Sequence, residues 1–198
     1  MILLKELDSS TLDSLTDLLV KAFSKDPLVA YLFRGRNQTR EVYRFYRLLL
    51  SVFSSKGSLY VDSSEANGLI LWNDSIASPG FREWSRSGIV NVLGLSVQTV
   101  FRLFRVGLTV ERAHKQTIKS RHLHLILLGV YPSSQGKGIG RRLLDILLEE
   151  ANRLSLPCYL ETQNEKNVQF YESAGFTVEK TLQISRSLKS WSMLRTPQ

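Results

Sequence analysis

The stretch "SSQGKGIGRRLL" at 133–144 sets Gly136, Gly138 and Gly140 on alternate positions, between Gln135 and a leucine-rich run carrying Arg141 and Arg142. Glycines just ahead of a helix suit an anion. The first turn of a helix has N–H groups with no partner inside the helix, and the helix dipole adds positive potential there. Residues without a Cβ let that backbone approach a phosphate. Two familiar phosphate loops do not fit. Lys137 is followed by Gly138 instead of Ser or Thr, and Gly129 is too far upstream of Gly136 for a P-loop. A dinucleotide fingerprint needs its third glycine one position later than Gly140.

Other reactive side chains are few. His122 and His124 stand two apart on one strand face, a spacing that suits a metal pair, but no third ligand cluster accompanies them and no metal is expected. Cys158 sits inside an apolar strand, where a thiolate is disfavoured, and no G-x-S-x-G elbow occurs. Neither a thiol nor a serine nucleophile is expected.

The elements that must position these residues read as mixed α/β. Ile2–Leu7 is an opening strand, and Ser10-x-x-Asp13 is a capping box for a helix with Leu12, Leu15, Leu18, Leu19 and Phe23 at helical spacing. Pro27 starts a short helix, and Asn37 caps a longer one ending at Gly57. "SLYVDSS" and "GLILW" form a hairpin-like pair. The segment 81–119 is mostly helical, with Val100, Leu103, Phe104 and Leu108 on one stripe and Arg102, Arg105, Thr109 and Arg112 opposite. The apolar stripe is expected to face the core, with a membrane-surface role as the alternative. "HLHLILLGV" is a strand buried on both faces, followed by the glycine loop, the helix "GRRLLDILLEEANRL", the strand "PCYLET" and a short helix in "NVQFYESAG". "FTVEKTLQI" and "SWSML" are the last strands.

Composition sets the bounds. A chain of 198 residues, 43% hydrophobic and without repeats or linkers, predicts one domain over 1–198. One cysteine, no secretory signal and no uninterrupted apolar span predict a cytoplasmic protein off the membrane. The net charge of +8 favours anionic partners in general. Nucleic-acid binding is not expected, because no basic surface interleaved with aromatics is visible.

Gln135-x-x-Gly138-x-Gly140 resembles the [QR]-x-x-G-x-[GA] cofactor loop of the GNAT superfamily of acyl-CoA-dependent N-acetyltransferases. "NEKNVQFYESAGF" resembles that family's N-x-x-[AN]-x-x-x-Y-E-x-x-G-F segment, through Asn164, Asn167, Tyr171, Glu172, Gly175 and Phe176. "LILLGVYP" resembles its central strand. More narrowly, "HLHLILLGV", "LETQNEKNVQFYE", "KSWSMLRTP" and "AFSKDPLVAYLF" look like the puromycin N-acetyltransferase branch. One departure is that Trp72 leads into "NDSIASPG" where that branch carries a proline-rich turn, so puromycin is not carried over as substrate.

The resemblance implies a GNAT fold: a central, mostly antiparallel sheet of six to seven strands, flanked by helices, with a splayed central pair forming the CoA site. Substrate-side helices would lie within 8–56 and 81–119, and the acetyl-CoA-binding core at 121–196. Acetyl-CoA, the cosubstrate, would lie against Leu128, Gly129 and Val130, with a backbone amide near Val130 facing the acetyl carbonyl. Its diphosphate would lie on Gln135, Gly136, Lys137, Gly138, Ile139, Gly140 and Arg141. Asn164, Asn167, Phe170 and Tyr171 would complete the wall. Tyr171 would serve the leaving thiolate as acid, with Glu161 the first and His124 the second choice of base. The implied reaction is direct acetyl transfer to a primary amine of a small molecule. Acetylation of a protein or peptide amine, or a non-catalytic acyl-CoA sensor, are the alternatives. Trp72, Trp84 and Trp191 could line an acceptor pocket or pack in the core. A monomer or homodimer is expected.

Overall fold

The computed structural model describes residues 1–34, 38–77 and 94–197. Seven strands form one sheet: β1 (Ile2–Leu4), β2 (Ser58–Val61), β3 (Gly68–Asp74), β4 (Leu123–Val130), β5 (Cys158–Thr162), β6 (Thr177–Ser185) and β7 (Leu188–Arg195), in the order β1-β2-β3-β4-β5-β7-β6. Only β4 and β5 run parallel. The mostly antiparallel sheet flanked by helices is the architecture the motifs imply. β1 is shorter than the Ile2–Leu7 strand expected.

The centre of the sheet opens. β4 pairs with β5 only from Leu123–Leu125 to Cys158–Leu160, then runs on to Val130 with β3 alone beside it. On the β3 side Leu71 faces Leu127 and Trp72 faces Leu125, so Ile126 is the extra residue of a bulge. A bulge bends its strand and re-aims side chains, and this one lies where β4 leaves β5. Residues of β4 alternate between buried and half-buried, which corrects the expectation of a strand covered fully on both faces. Its half-buried set includes Leu128 and Val130, which border the opening.

Helices cover both faces. One core packs Leu15, Leu18 and Leu19 of α1 (Ser9–Ala22), Val29 and Leu32 of α2 (Pro27–Leu32), and Tyr46 and Leu50 of α3 (Gln38–Phe53) with Leu69, Leu71 and Leu127 of the sheet. The other sets Leu143, Leu144 and Leu147 of α5 (Ile139–Leu154) and Tyr171 of α6 (Glu165–Glu172) against Ile70, Leu125 and Leu160. Asp8, not Ser10, caps α1, with its Oδ1 accepting from the Thr11 N–H at 2.7 Å. The Ser10–Asp13 capping box is therefore not formed, and Asp13 instead accepts from Tyr43 and Arg47 of α3. The cap expected at Asn37 lies outside the described residues, and α3 ends at Phe53, before Gly57.

The long helix α4 (Val97–Thr117) covers only part of its expected apolar stripe: Leu103 packs against the core, while Val100, Phe104 and Leu108 are 39–64% exposed. Val97, Phe101 and Phe104 are 64–85% exposed, while Thr99, Val106 and Ala113 are buried. Arg102 and Arg105 reach inward instead, donating to the Leu32 and Ile184 carbonyls at 3.1 Å each. Thr99 Oγ1 donates to Glu41 of α3 at 2.6 Å. Small and hydrogen-bonded side chains let this helix sit close to its neighbours. No helix among the described residues is long and apolar enough to cross a membrane.

Candidate active site

The glycine loop follows β4 through a short turn at Pro132–Ser134. Gln135 Nε2 donates to the Val130 carbonyl at 3.0 Å, which closes the turn back on the strand. Gly136 and Gly138 have φ of 76° and 75°, the left-handed region that costs a residue with a Cβ. Crowding is not the reason for glycine here. A Cβ on Gly136 would meet nothing within 4 Å, and one on Gly138 only the mobile tip of Arg142 at 3.2 Å. Gly138 caps α5 without a side-chain hydrogen bond, and the first helical bond runs from the Arg142 N–H to the Gly138 carbonyl at 3.1 Å. The N–H groups of Ile139, Gly140 and Arg141 thus have no acceptor inside the helix.

Ile139, Gly140 and Arg141 line a cavity of about 810 Å³. Its walls hold Leu128, Gly129 and Val130 of β4, Gln135, Gly136, Gly138, Ile139, Gly140 and Arg141 of the loop and α5, and Asn164, Asn167, Phe170 and Tyr171 at α6. All were predicted together. Lys137 is exposed and is not on the wall; its carbonyl accepts from Arg142 Nη1 at 3.1 Å. Arg141 also ties α5 down, through Asp145 at 2.8 Å and the Ser173 carbonyl at 3.2 Å. Asn164 caps α6, accepting from the Lys166 N–H at 3.2 Å.

Tyr171 packs edge-on against Phe170 and Phe176, with ring centroids 5.2 and 5.8 Å away. Burial, with a smaller contribution from the Asp26 carboxylate, pushes its phenol far above the ordinary range. It is a protonated donor at neutral pH.

Glu161 and His124 do not line the cavity; they meet each other beside the last paired residues of β4 and β5. His124 Nε2 and Glu161 Oε2 are 2.8 Å apart, with 20% and 9% of the side chains exposed. Burial would raise the Glu161 carboxyl, but the His124 charge and hydrogen bond, helped by Tyr159 and His114, hold it below the usual carboxylate value. An ionised Glu161 oxygen only accepts, so His124 Nε2 carries the proton of this hydrogen bond. Glu161 Oε1, the Tyr159 hydroxyl and Ser192 Oγ are buried beside this pair without a well-formed hydrogen bond.

His114 of α4 joins the group, a residue sequence reasoning did not single out. It stacks on Tyr159 at 4.3 Å, and its Nε2 lies 2.7 Å from His122 Nε2. His122 Nδ1 donates to the Ser120 carbonyl at 2.7 Å, so neutral His122 accepts at Nε2 and His114 donates. Burial, then repulsion from His124, pushes the His114 imidazole down to about 4. The signal available was that all three histidines of the chain fall within 114–124. Among the described residues, no group of three or more His, Cys, Asp or Glu could hold a metal ion. Burial pushes the Cys158 thiol up to about 12, as its apolar strand implies. Trp72 stacks on Tyr60 within the core, and Trp84 lies outside the described residues.

The opposite wall is formed by Lys21, Phe23, Lys25 and Asp26, from the end of α1 and the loop to α2, which the sequence had not assigned to the site. Unpaired loop amides and the cations Lys21, Lys25, Arg141 and Lys166 together fit a diphosphate-bearing ligand such as acetyl-CoA.

The chain is similar in sequence and in fold to several known proteins. Residues 102–176 match the family model described as the acetyltransferase (GNAT) family. An uncharacterized N-acetyltransferase of Schizosaccharomyces pombe is 28% identical over 185 residues, covering 85% of this chain and 71% of that one. The L-methionine sulfoximine/L-methionine sulfone acetyltransferase of Salmonella typhimurium is 42% identical over 52 residues, 25% of this chain and 30% of its own length. A solved structure of a histone acetyltransferase HPA2 and related acetyltransferase from Corynebacterium glutamicum superposes with a TM-score of 0.66 at 20% identity, covering 97% of this chain and 94% of that one.

Proposed function

We propose that the chain is an acetyl-CoA-dependent acyltransferase of the GNAT superfamily and that it transfers acetyl to a primary amine of a small molecule by direct attack; the family-model match over 102–176 and the N-acetyltransferase relative support this. The observation that carries this reading is one cavity holding both the unpaired amides of the glycine loop and the buried phenol of Tyr171. Acetyl-CoA supplies an activated acyl group when bound. The loop amides and the helix dipole hold its diphosphate, and a backbone N–H near Val130 stabilises charge building on the carbonyl oxygen. As the C–N bond forms and the C–S bond breaks, Tyr171 donates its proton to the leaving sulfur, and the proton shed by the newly acylated nitrogen restores the phenol.

An ammonium has no lone pair, so a proton must leave the acceptor before attack. The His124–Glu161 pair, joined by its 2.8 Å hydrogen bond, receives it. His124 is four residues before Leu128, roughly 13 Å along an extended strand, so the proton travels through water in the opening between β4 and β5. Within the superfamily we place the chain nearest the puromycin N-acetyltransferase-like branch, on the motifs quoted above, without puromycin as acceptor. Basic charge spread over the chain repels lysine-rich protein targets and supports a small acceptor. The test is thiol release from acetyl-CoA with a panel of primary amines. Amine-dependent release with a saturable rate supports the reading. Binding of CoA with no release for any amine refutes it in favour of a sensor.

A further inference from the structure

We propose that Asp26 is the carboxylate that seats the cationic acceptor in the cavity. This rests on the reading of the chain as an amine acetyltransferase. The charged residues on the cavity wall are Lys21, Lys25, Asp26, Arg141 and Lys166, four cations and one acid. That balance suits the phosphates but opposes the other substrate. An alkylamine in neutral water is an ammonium, as lysine is, and the four cations repel it. Asp26 is the one carboxylate on that wall among the described residues.

Its structural duty does not account for its charge. Asp26 caps α2, with Oδ1 accepting from the Leu28 N–H at 2.9 Å. Asn, Ser or Thr would cap as well. Among the described residues it has no cation in ion-pair contact, and burial, outweighing hydrogen bonds from the Leu28 and Val29 N–H groups, raises its carboxyl. A half-buried carboxylate without a cation gains most from a cation that arrives. Asp26 and Tyr171 line the same cavity.

Asp26→Asn in the full chain separates cap from charge, because Asn keeps the hydrogen bond to Leu28. With an alkylamine turned over by the unaltered chain, KM for the amine should rise about 10- to 100-fold, the range for a hydrogen bond to a charged group. The melting temperature should stay unchanged. KM for an arylamine such as aniline, uncharged at neutral pH, should not move. The Kd for CoA should stay the same or fall, since a negative charge leaves a phosphate site. An alkylamine KM within twofold of the original, or an equal rise for aniline, overturns the assignment. So does a loss confined to kcat with one limb of the pH profile gone, because Asp26 would then be the base. If the unaltered chain turns over no amine, the acetyl-transfer reading falls and takes this inference with it. If amines react and KM stays put, only the role of Asp26 fails.

Discussion

Replacing Gly136 or Gly138 with alanine probes the loop through backbone conformation alone. Both residues sit at φ near 75°, where a Cβ costs about 1–2 kcal/mol. Neither Cβ would strike anything rigid, so no clash complicates the reading. Two responses are open to the chain. It can hold the loop and lose that energy from folding, or relax the loop and lose it from binding. The loop is exposed and ends in a helix cap made by backbone alone, so relaxation is the easier response. Each single variant should therefore bind CoA about 5- to 30-fold more weakly, which is 1–2 kcal/mol expressed as affinity. The double variant should lose roughly 30- to 1000-fold if the two positions act independently. Gly140→Ala is the control. It lies inside α5, where alanine is favoured by about 1 kcal/mol over glycine, and its Cβ would make ordinary contacts to Val130 at 3.6 Å and Phe170 at 3.9 Å. Its melting temperature should rise or hold, and its CoA affinity should stay within about threefold. Titration calorimetry with CoA and thermal melts of the same samples decide the matter. CoA affinity within twofold of the original in both single variants, with unchanged melting temperatures, would refute the role given to the left-handed backbone.

Three further outcomes are expected. Tyr171→Phe should lower kcat by about 10²–10⁴-fold with CoA affinity nearly unchanged; unaltered turnover in steady-state kinetics removes its role as acid. The His114 imidazole is depressed to about 4 from an unfolded value of 6.5, so the folded chain resists the proton that the unfolded chain accepts. Its contribution to stability is complete above pH 6.5 and is lost as pH falls towards 4; His114→Gln should flatten that part of a melting-temperature profile, and an unchanged profile contradicts it. On α4, Phe101→Ser and Phe104→Ser should change stability by no more than about 0.5 kcal/mol, whereas Val106→Asp should cost several times that. Denaturant titrations that rank them the other way would show that the helix faces inward as its sequence pattern suggested.

That the glycine loop and the short helix α6 would line one cavity was legible because their signals are local. Gln135, Gly138 and Gly140 report a backbone conformation through the absence of side chains, and Asn164 and Tyr171 stand at fixed spacing on one short helix. Each constraint is set within a few residues. α4 was misread because helical spacing shows that an apolar stripe exists without showing which side is covered. The inner side was chosen by long-range partners: Glu41 for Thr99, the Leu32 carbonyl for Arg102 and the Ile184 carbonyl for Arg105. His114 and Asp26 escaped notice for the same reason. Each reaches its place through packing of separate elements, and Asp26 has a local capping duty sufficient to explain its presence. The capping box failed by two residues because Asp8 and Ser10 are both competent caps, and Asp13 was needed by Tyr43 and Arg47.

The central claim is that backbone amides at the start of α5 hold the diphosphate of acetyl-CoA. Amide-resolved hydrogen exchange with and without saturating CoA tests it most directly. Slowed exchange at Gly136 to Arg141, with the far edge of the sheet at β1 unaffected, is the predicted result. Tight CoA binding that leaves those amides exchanging at their original rate would contradict it.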